Sequence, residues 1–245
     1  MKLLLDVGNT STTWGLSHQH TLMQKGHLDT HPLTSLGSRL LTQTSEQLMV
    51  PVDEVWVASV VRGATPVLER TFGTKKLKRI LPTTVPGVNN ITLEPEKVGV
   101  DRLVNVKAAL KEHAPPFVIL DTGTAITLCA VNEQSQYCGG AILPGLRLSR
   151  DVLSEKTSLL PSIEIRAPER AIGRNTEEAL VSGIVLAASH AIRGLFRDFS
   201  KELSQKKINF IGTGGNITLL APLIPELTVI DPDLTLKGIE WVAYE

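Results

Sequence analysis

Asp6 closes the apolar run Leu3-Leu4-Leu5 and is followed by Val7-Gly8-Asn9-Thr10. Asp121 closes Val118-Ile119-Leu120 and is followed by Thr122-Gly123-Thr124-Ala125. The two copies lie nearly half the chain apart, and each returns to strand-like residues, Thr12 to Leu16 and Ile126 to Val131. A buried strand of this kind delivers a carboxylate to its own end. The glycine lets the backbone approach a ligand closely, and the N–H and hydroxyl groups beyond it suit phosphate oxygens. Taken singly, Asp and Gly at a turn also describe an ordinary hairpin. The duplication points to a nucleotide clamp with two carboxylates available for cations.

A third carboxylate stands in Gly99-Val100-Asp101-Arg102, just after a proline-rich stretch. Asp101 there can cap a helix or take a proton from an attacking hydroxyl. Arg102 can form a surface ion pair or hold an anionic group in its planar fork. Three glycine-bearing segments add candidate ligand surfaces. Tyr137 to Gly145 joins a strand to a Pro-Gly turn. Gly173-Arg174-Asn175-Thr176 leads into a long helix whose first turn has free N–H groups. Gly212-Thr213-Gly214-Gly215 follows a strand and precedes a helix, a setting suited to phosphate. It lacks GxGxxG spacing, so a dinucleotide fold is not supported. There is no P-loop, no Gly-x-Ser-x-Gly elbow and no HExxH pair.

The elements that must position these groups follow a repeated order. The first half reads as strand, turn, strand (Thr12 to Leu16) and a third extended piece from Thr21 to Leu28. A helix from Leu33 to Met49, a strand from Glu54 to Val61, a short helix with Pro66 at its first position and a strand from Leu77 to Leu81 come next. An irregular connection leads to a helix within Gly99 to His113, which stops before Pro115-Pro116. The second half opens with Phe117 to Leu120, a hairpin to Val131 and a strand near Tyr137 to Ile142. A helix near Leu148 to Ser158 and a long one from Asn175 to Leu203 follow. Ile208 to Ile211, a short helix, Thr228 to Ile230 and a final helix from Leu236 complete it. The order predicts an α/β chain with mixed sheets, in two domains of residues 1–113 and 114–245 joined by a rigid hinge at 113–116.

Composition narrows the function class. The 245 residues carry 25 basic and 25 acidic side chains, for a formal net charge of zero. That argues against a nucleic-acid binder built on phosphate neutralisation. Lys75-Lys76-Leu77-Lys78-Arg79 reads as a solvated strand approach. No run of 18 apolar residues and no charged leader is visible, so no membrane association is expected. Cys129 and Cys138 show neither redox nor zinc spacing, and a cytoplasmic location is the expectation.

Taken in order, these motifs resemble the type III pantothenate kinases of the acetate-kinase, sugar-kinase and actin-like superfamily. The resemblance is carried by Asp6 to Thr10, Gly99 to Arg102, Asp121 to Thr127, Gly139 to Gly145, Gly173 to Thr176 with Glu178-Ala179, Thr213 to Gly215 and Asp231 to Gly238. It implies two RNase H-like (actin-like ATPase) domains, each a mixed sheet flanked by helices, with the nucleotide cleft between them. It also implies ATP-dependent phosphorylation of pantothenate to 4'-phosphopantothenate, the first step toward coenzyme A.

By the same resemblance, the ATP phosphate loop comprises Asp6, Val7, Gly8, Asn9, Thr10, Ser11, Thr12 and Thr13, with Thr124 a further nucleotide contact. Asp101 is the proton acceptor. Gly99, Val100, Asp101, Arg102 and Thr176 line the pantothenate site. Asp121 ligates a monovalent cation, K+ or NH4+, and Mg2+ or another divalent cation accompanies ATP. Family members are homodimers. Two positions depart from many relatives: Thr92 stands where they carry tyrosine, and Cys129 where they carry an acidic residue. These departures keep one rival open, a noncatalytic or regulatory nucleotide-binding relative. A second rival is an acetate or sugar kinase, whose chains are usually much longer.

Overall fold

The computed structural model describes residues 1–45, 51–204 and 207–245. The chain forms two compact units, Met1–Glu112 with Asp233–Glu245 and His113–Pro232.

The first unit is built on β1 (Lys2–Val7), β2 (Ser11–His18), β3 (Thr21–Asp29), β4 (Glu54–Ser59) and β5 (Leu77–Ile80), in the sheet order β3-β2-β1-β4-β5. β1 is antiparallel to β2 and parallel to β4. A central strand covered on both faces needs apolar residues on both, and Leu3, Leu4 and Leu5 are all fully buried. Each such leucine contributes about 1.5–3 kcal/mol. Asp6 is the residue at which that run meets the sheet's end. α1 (Leu36–Ser45) follows a short 3-10 turn at Leu33–Ser35. The rest of the expected helix, 46–49, lies outside the described residues. α2 (Ala64–Phe72) begins two residues before Pro66, its expected first position, after Gly63 at φ 82°, so Pro66 is its third residue. The two-residue β6 (Asn89–Asn90) interrupts the irregular connection to α3 (Val100–Glu112).

The second unit repeats the plan. β7 (Phe117–Thr122), β8 (Ala125–Val131), β9 (Gln136–Pro144), β10 (Asn209–Thr213) and β11 (Val229–Ile230) run in the order β11-β10-β7-β8-β9. β7 is antiparallel to β8 and parallel to β10, so Asp121 also ends a central strand. α4 (Leu146–Lys156) begins two residues before the sequence suggests. α5 (Thr176–Glu202) has the length and composition to cross a membrane. Here its Val181, Ile184, Val185, Ile192 and Phe196 belong to the core of this unit. The short α6 (Ile217–Leu220) follows the glycine turn after β10.

The closing helix α7 (Leu234–Tyr244) was expected in the second domain, 114–245. It packs instead in the first unit, against β1 and α3. At the α3–α7 crossing a Cβ on Gly238 would collide with the Val104 carbonyl. Lys107 of α3, almost wholly buried, donates to Glu245 Oε2 at 2.6 Å and to the Pro86 carbonyl at 2.8 Å. The glycine of the closing signature thus lets α7 seat directly against the helix that carries Asp101.

Candidate active site

In the first unit, Asp6 pairs in register with Thr13 across the β1–β2 hairpin and with Ala58 on β4. The turn between is held closed: the Gly8 N–H donates to the Ser11 carbonyl at 3.0 Å. Thr30, just after β3, braces it from beneath. Its hydroxyl donates to the Gly8 carbonyl at 2.6 Å, and its N–H to the Thr10 carbonyl at 3.0 Å. Thr12 and Thr30 hydroxyls lie 2.9 Å apart, both side chains fully buried. Val7 is likewise in the core. Of the expected phosphate loop, then, Val7 and Thr12 face inward and support the turn, because alternate residues of a strand point to opposite faces. Asn9, Thr10 and Ser11 are exposed, and Asp6, Gly8 and Thr13 are half-buried. Thr30 was missed by sequence reading; it lies far along the chain in no motif.

Asp101 occupies the first turn of α3. Its carboxylate folds back over Gly99, where a Cβ would collide with Oδ1. Burial pushes its carboxyl above the usual carboxylate range, against the Arg102 backbone N–H and the Arg102 charge, which pull it down. A carboxylate so placed binds a proton more readily than a solvated one, as a general base requires. Beside it, Gly99 and Val100 form part of the wall of a pocket of about 290 Å³. Val57, Ser59 and Val60 at the end of β4 and Arg79 and Ile80 at the end of β5 supply other parts. The Val60 N–H donates to the Val7 carbonyl at 3.2 Å. The pocket therefore opens on the strand next to Asp6, at the carboxyl edge of parallel strands, where ligands of open α/β sheets bind. Its size is near the lower end for small-molecule sites, which run about 300–1,000 Å³.

In the second unit, Asp121 pairs in register with Thr127 on β8 and Thr213 on β10. Gly214 follows at φ 90°, and a Cβ there would collide with Asp121 Oδ1 and the Thr122 N–H. The Thr122 hydroxyl donates to the Thr213 carbonyl at 3.0 Å. The Asn216 backbone and side-chain N–H groups both donate to the Thr122 carbonyl, at 3.1 and 3.0 Å. Thr124 is exposed, and its carbonyl accepts from the Gly145 N–H at 3.1 Å. The Thr213 hydroxyl is buried and has no hydrogen-bond partner among the described residues. Asn175 caps α5: its side chain accepts from the Glu178 N–H at 2.8 Å, and Glu178 reaches back to the Arg174 N–H at 2.9 Å. Thr176 is left exposed at the first helical residue. Asn216 and Thr213 were not singled out individually in the sequence, although their glycine turn was.

Comparison with known proteins gives the family and the fold. The model of the type III pantothenate kinase family matches residues 2–198. A type III pantothenate kinase from Thermomicrobium roseum is 34% identical over all of this chain and 97% of its own. Among solved structures, a protein described as a Baf family transcriptional activator from Campylobacter jejuni is 18% identical. It superposes with a TM-score of 0.60, over 99% of this chain and 96% of its own. One described as a 2-dehydro-3-deoxygalactonokinase from Sinorhizobium meliloti is 11% identical and gives 0.61, over 99% and 96%. The fold is that of the actin-like kinases, and the chain belongs to the type III pantothenate kinase family.

Proposed function

We propose that this protein transfers the γ-phosphoryl group of ATP to the primary hydroxyl of pantothenate, opening coenzyme A biosynthesis, with Asp101 as proton acceptor. The observation that carries the assignment of Asp101 is its partly buried carboxylate, raised in basicity and folded over Gly99 at the pocket wall. In the step, the acceptor O–H bond breaks and its proton passes to Asp101. The new O–P bond forms as the bond to the bridging oxygen of ADP breaks. Reactions of this kind depend mainly on positioning and on charge stabilisation.

The exposed residues Asn9, Thr10 and Ser11 hold phosphate oxygens, with Thr13 and Thr124 as further nucleotide contacts. Gly99 to Arg102 and Thr176 bind pantothenate. Asp6 would orient a divalent ion. A single carboxylate there suits Mg2+, an ion that keeps several waters and takes one or two carboxylates plus substrate phosphates. Asp121 would hold K+ or NH4+. The unpartnered Thr213 hydroxyl on the neighbouring strand supports a cation there, since it offers a second oxygen donor. The cations, when bound, supply positive charge toward the phosphoryl oxygens.

A coupled ADP-release assay tests the reading. Pantothenate should drive turnover, K+ should raise it, and simple sugars and acetate should not substitute. Turnover with a sugar or acetate alone would assign the chain to another branch of the superfamily, and no turnover with any acceptor would favour a noncatalytic relative.

We also propose a homodimer and a cytoplasmic location. In the second unit Leu159 and Ile172 are 90% and 83% exposed. Ile142 of β9 and Leu148 and Val152, one turn apart on α4, are exposed as well. Exposed apolar side chains of this kind suit cover by a second copy. Light scattering should give twice the chain mass for the wild type and a lower mass for Leu159→Asp; equal masses would remove Leu159 from the interface. Cys129 is buried and Cys138 exposed, and their spacing fits neither a redox nor a zinc motif, in keeping with the proposed location.

A further inference from the structure

We propose that Arg79 selects the acceptor by its carboxylate, an inference that rests on the pantothenate reading above. Pantothenate carries its reacting hydroxyl beside two methyl groups at one end, an amide in the middle and a carboxylate at the other end. The pocket walled in part by Gly99 and Val100, the residues that precede Asp101 in the chain, offers a matching set of surfaces. Val57, Ile80 and Val98 are apolar, and the Ser59 and Thr65 hydroxyls are polar and neutral. Two cations also line it, Arg79 from the end of β5 and Lys97 from the turn before α3.

The two cations are not equivalent. Lys97 pairs with Glu94 and is two-thirds exposed, so its charge is already partly answered. Arg79 has no hydrogen-bond or ion-pair partner among the described residues, although it lines a pocket whose lining contains no acidic side chain. A guanidinium presents two parallel N–H donors that match a carboxylate. The short basic run at Lys75 to Arg79, which reads in the sequence as a merely solvated strand approach, thus places one member at the ligand. β5 is the edge of its sheet, and Arg79 is exposed, so the side chain can be changed without opening the core.

The test compares pantothenate with pantothenol, in which a primary alcohol replaces the carboxylate and the reacting hydroxyl is retained. For Arg79→Gln, the ratio of kcat/KM for pantothenate over that for pantothenol should fall about 10-fold or more, the loss expected for a charge-assisted pair. The fall should come from the KM for pantothenate. Arg79→Lys should recover part of the ratio, and the KM for ATP should not follow the change. An unchanged ratio in Arg79→Gln, with pantothenate still phosphorylated, overturns the role of Arg79 and leaves the kinase reading intact. A rise confined to the KM for ATP also overturns it, moving Arg79 to the nucleotide. A wild-type protein that neither phosphorylates pantothenate nor binds it by calorimetry removes both readings at once.

Discussion

Asp101→Asn should lower kcat by about 10²- to 10⁴-fold, the usual contribution of a positioned general base, while the KM for ATP stays within a few-fold. Asparagine keeps the size and the hydrogen-bonding outline, so Gly99 still accommodates it, but it cannot take the proton. The pH dependence gives a second handle. Burial raises the Asp101 carboxyl above the usual carboxylate range. The acid limb of kcat/KM for pantothenate should accordingly fall at a higher pH than an ordinary aspartate would set, and it should vanish in the residual activity of the variant. The linkage sign follows from the same shift. A carboxyl raised in the folded state favours folding where it is protonated, and that advantage is lost as pH rises through its folded pKa. At neutral pH the wild type therefore carries a buried charge that Asp101→Asn removes, and the variant should melt no lower than the wild type. Lost turnover with undiminished Tm distinguishes a chemical role from damage to the fold. A kcat within a few-fold of wild type would mean that another group accepts the proton.

Gly214→Ala should damage the second hairpin most among single methyl additions near the site. The backbone there is at φ 90°, a conformation that costs an L-residue about 1–3 kcal/mol. The added Cβ would also collide with Asp121 Oδ1 and the Thr122 N–H, and overpacking of this kind costs about 1–3 kcal/mol more. The expected loss is about 2–6 kcal/mol. For a domain of this size Tm falls about 2–4 °C per kcal/mol, so thermal melting should shift by roughly 5–20 °C. Protein that remains folded should need more K+ for half-maximal activity, because the carboxylate proposed to hold the ion is the group displaced. An unchanged Tm and K+ response would show that the turn after β10 does not fix Asp121.

Much of this was legible because the signals are local. The two Asp-x-Gly turns announce themselves by repetition, and each ends the central strand of its sheet as the apolar runs before them require. The α5 start was readable from Asn175 or Thr176 as cap with Glu177 and Glu178 at the positive end of the helix. What the sequence concealed depends on contacts between distant residues. Thr30 supports the first turn from beyond β3, and nothing in its neighbours marks it. Val7 and Thr12 sit in the phosphate-loop motif yet face the core, a consequence of strand alternation within the hairpin. The placement of α7 with the first unit turns on the approach of Gly238 to Val104, two residues more than a hundred positions apart. Arg79 was hidden differently: its sequence context is a basic run, and only the ends of β4, β5 and the loop into α3 bring it to a pocket.

Phosphorus NMR of the purified protein with ATP, Mg2+, K+ and pantothenate tests the central claim most directly. A phosphomonoester resonance of 4'-phosphopantothenate should grow in step with ADP for the wild type and be nearly absent for Asp101→Asn over the same time. ADP accumulating without that resonance, or the same resonance appearing at an undiminished rate in the variant, would contradict it.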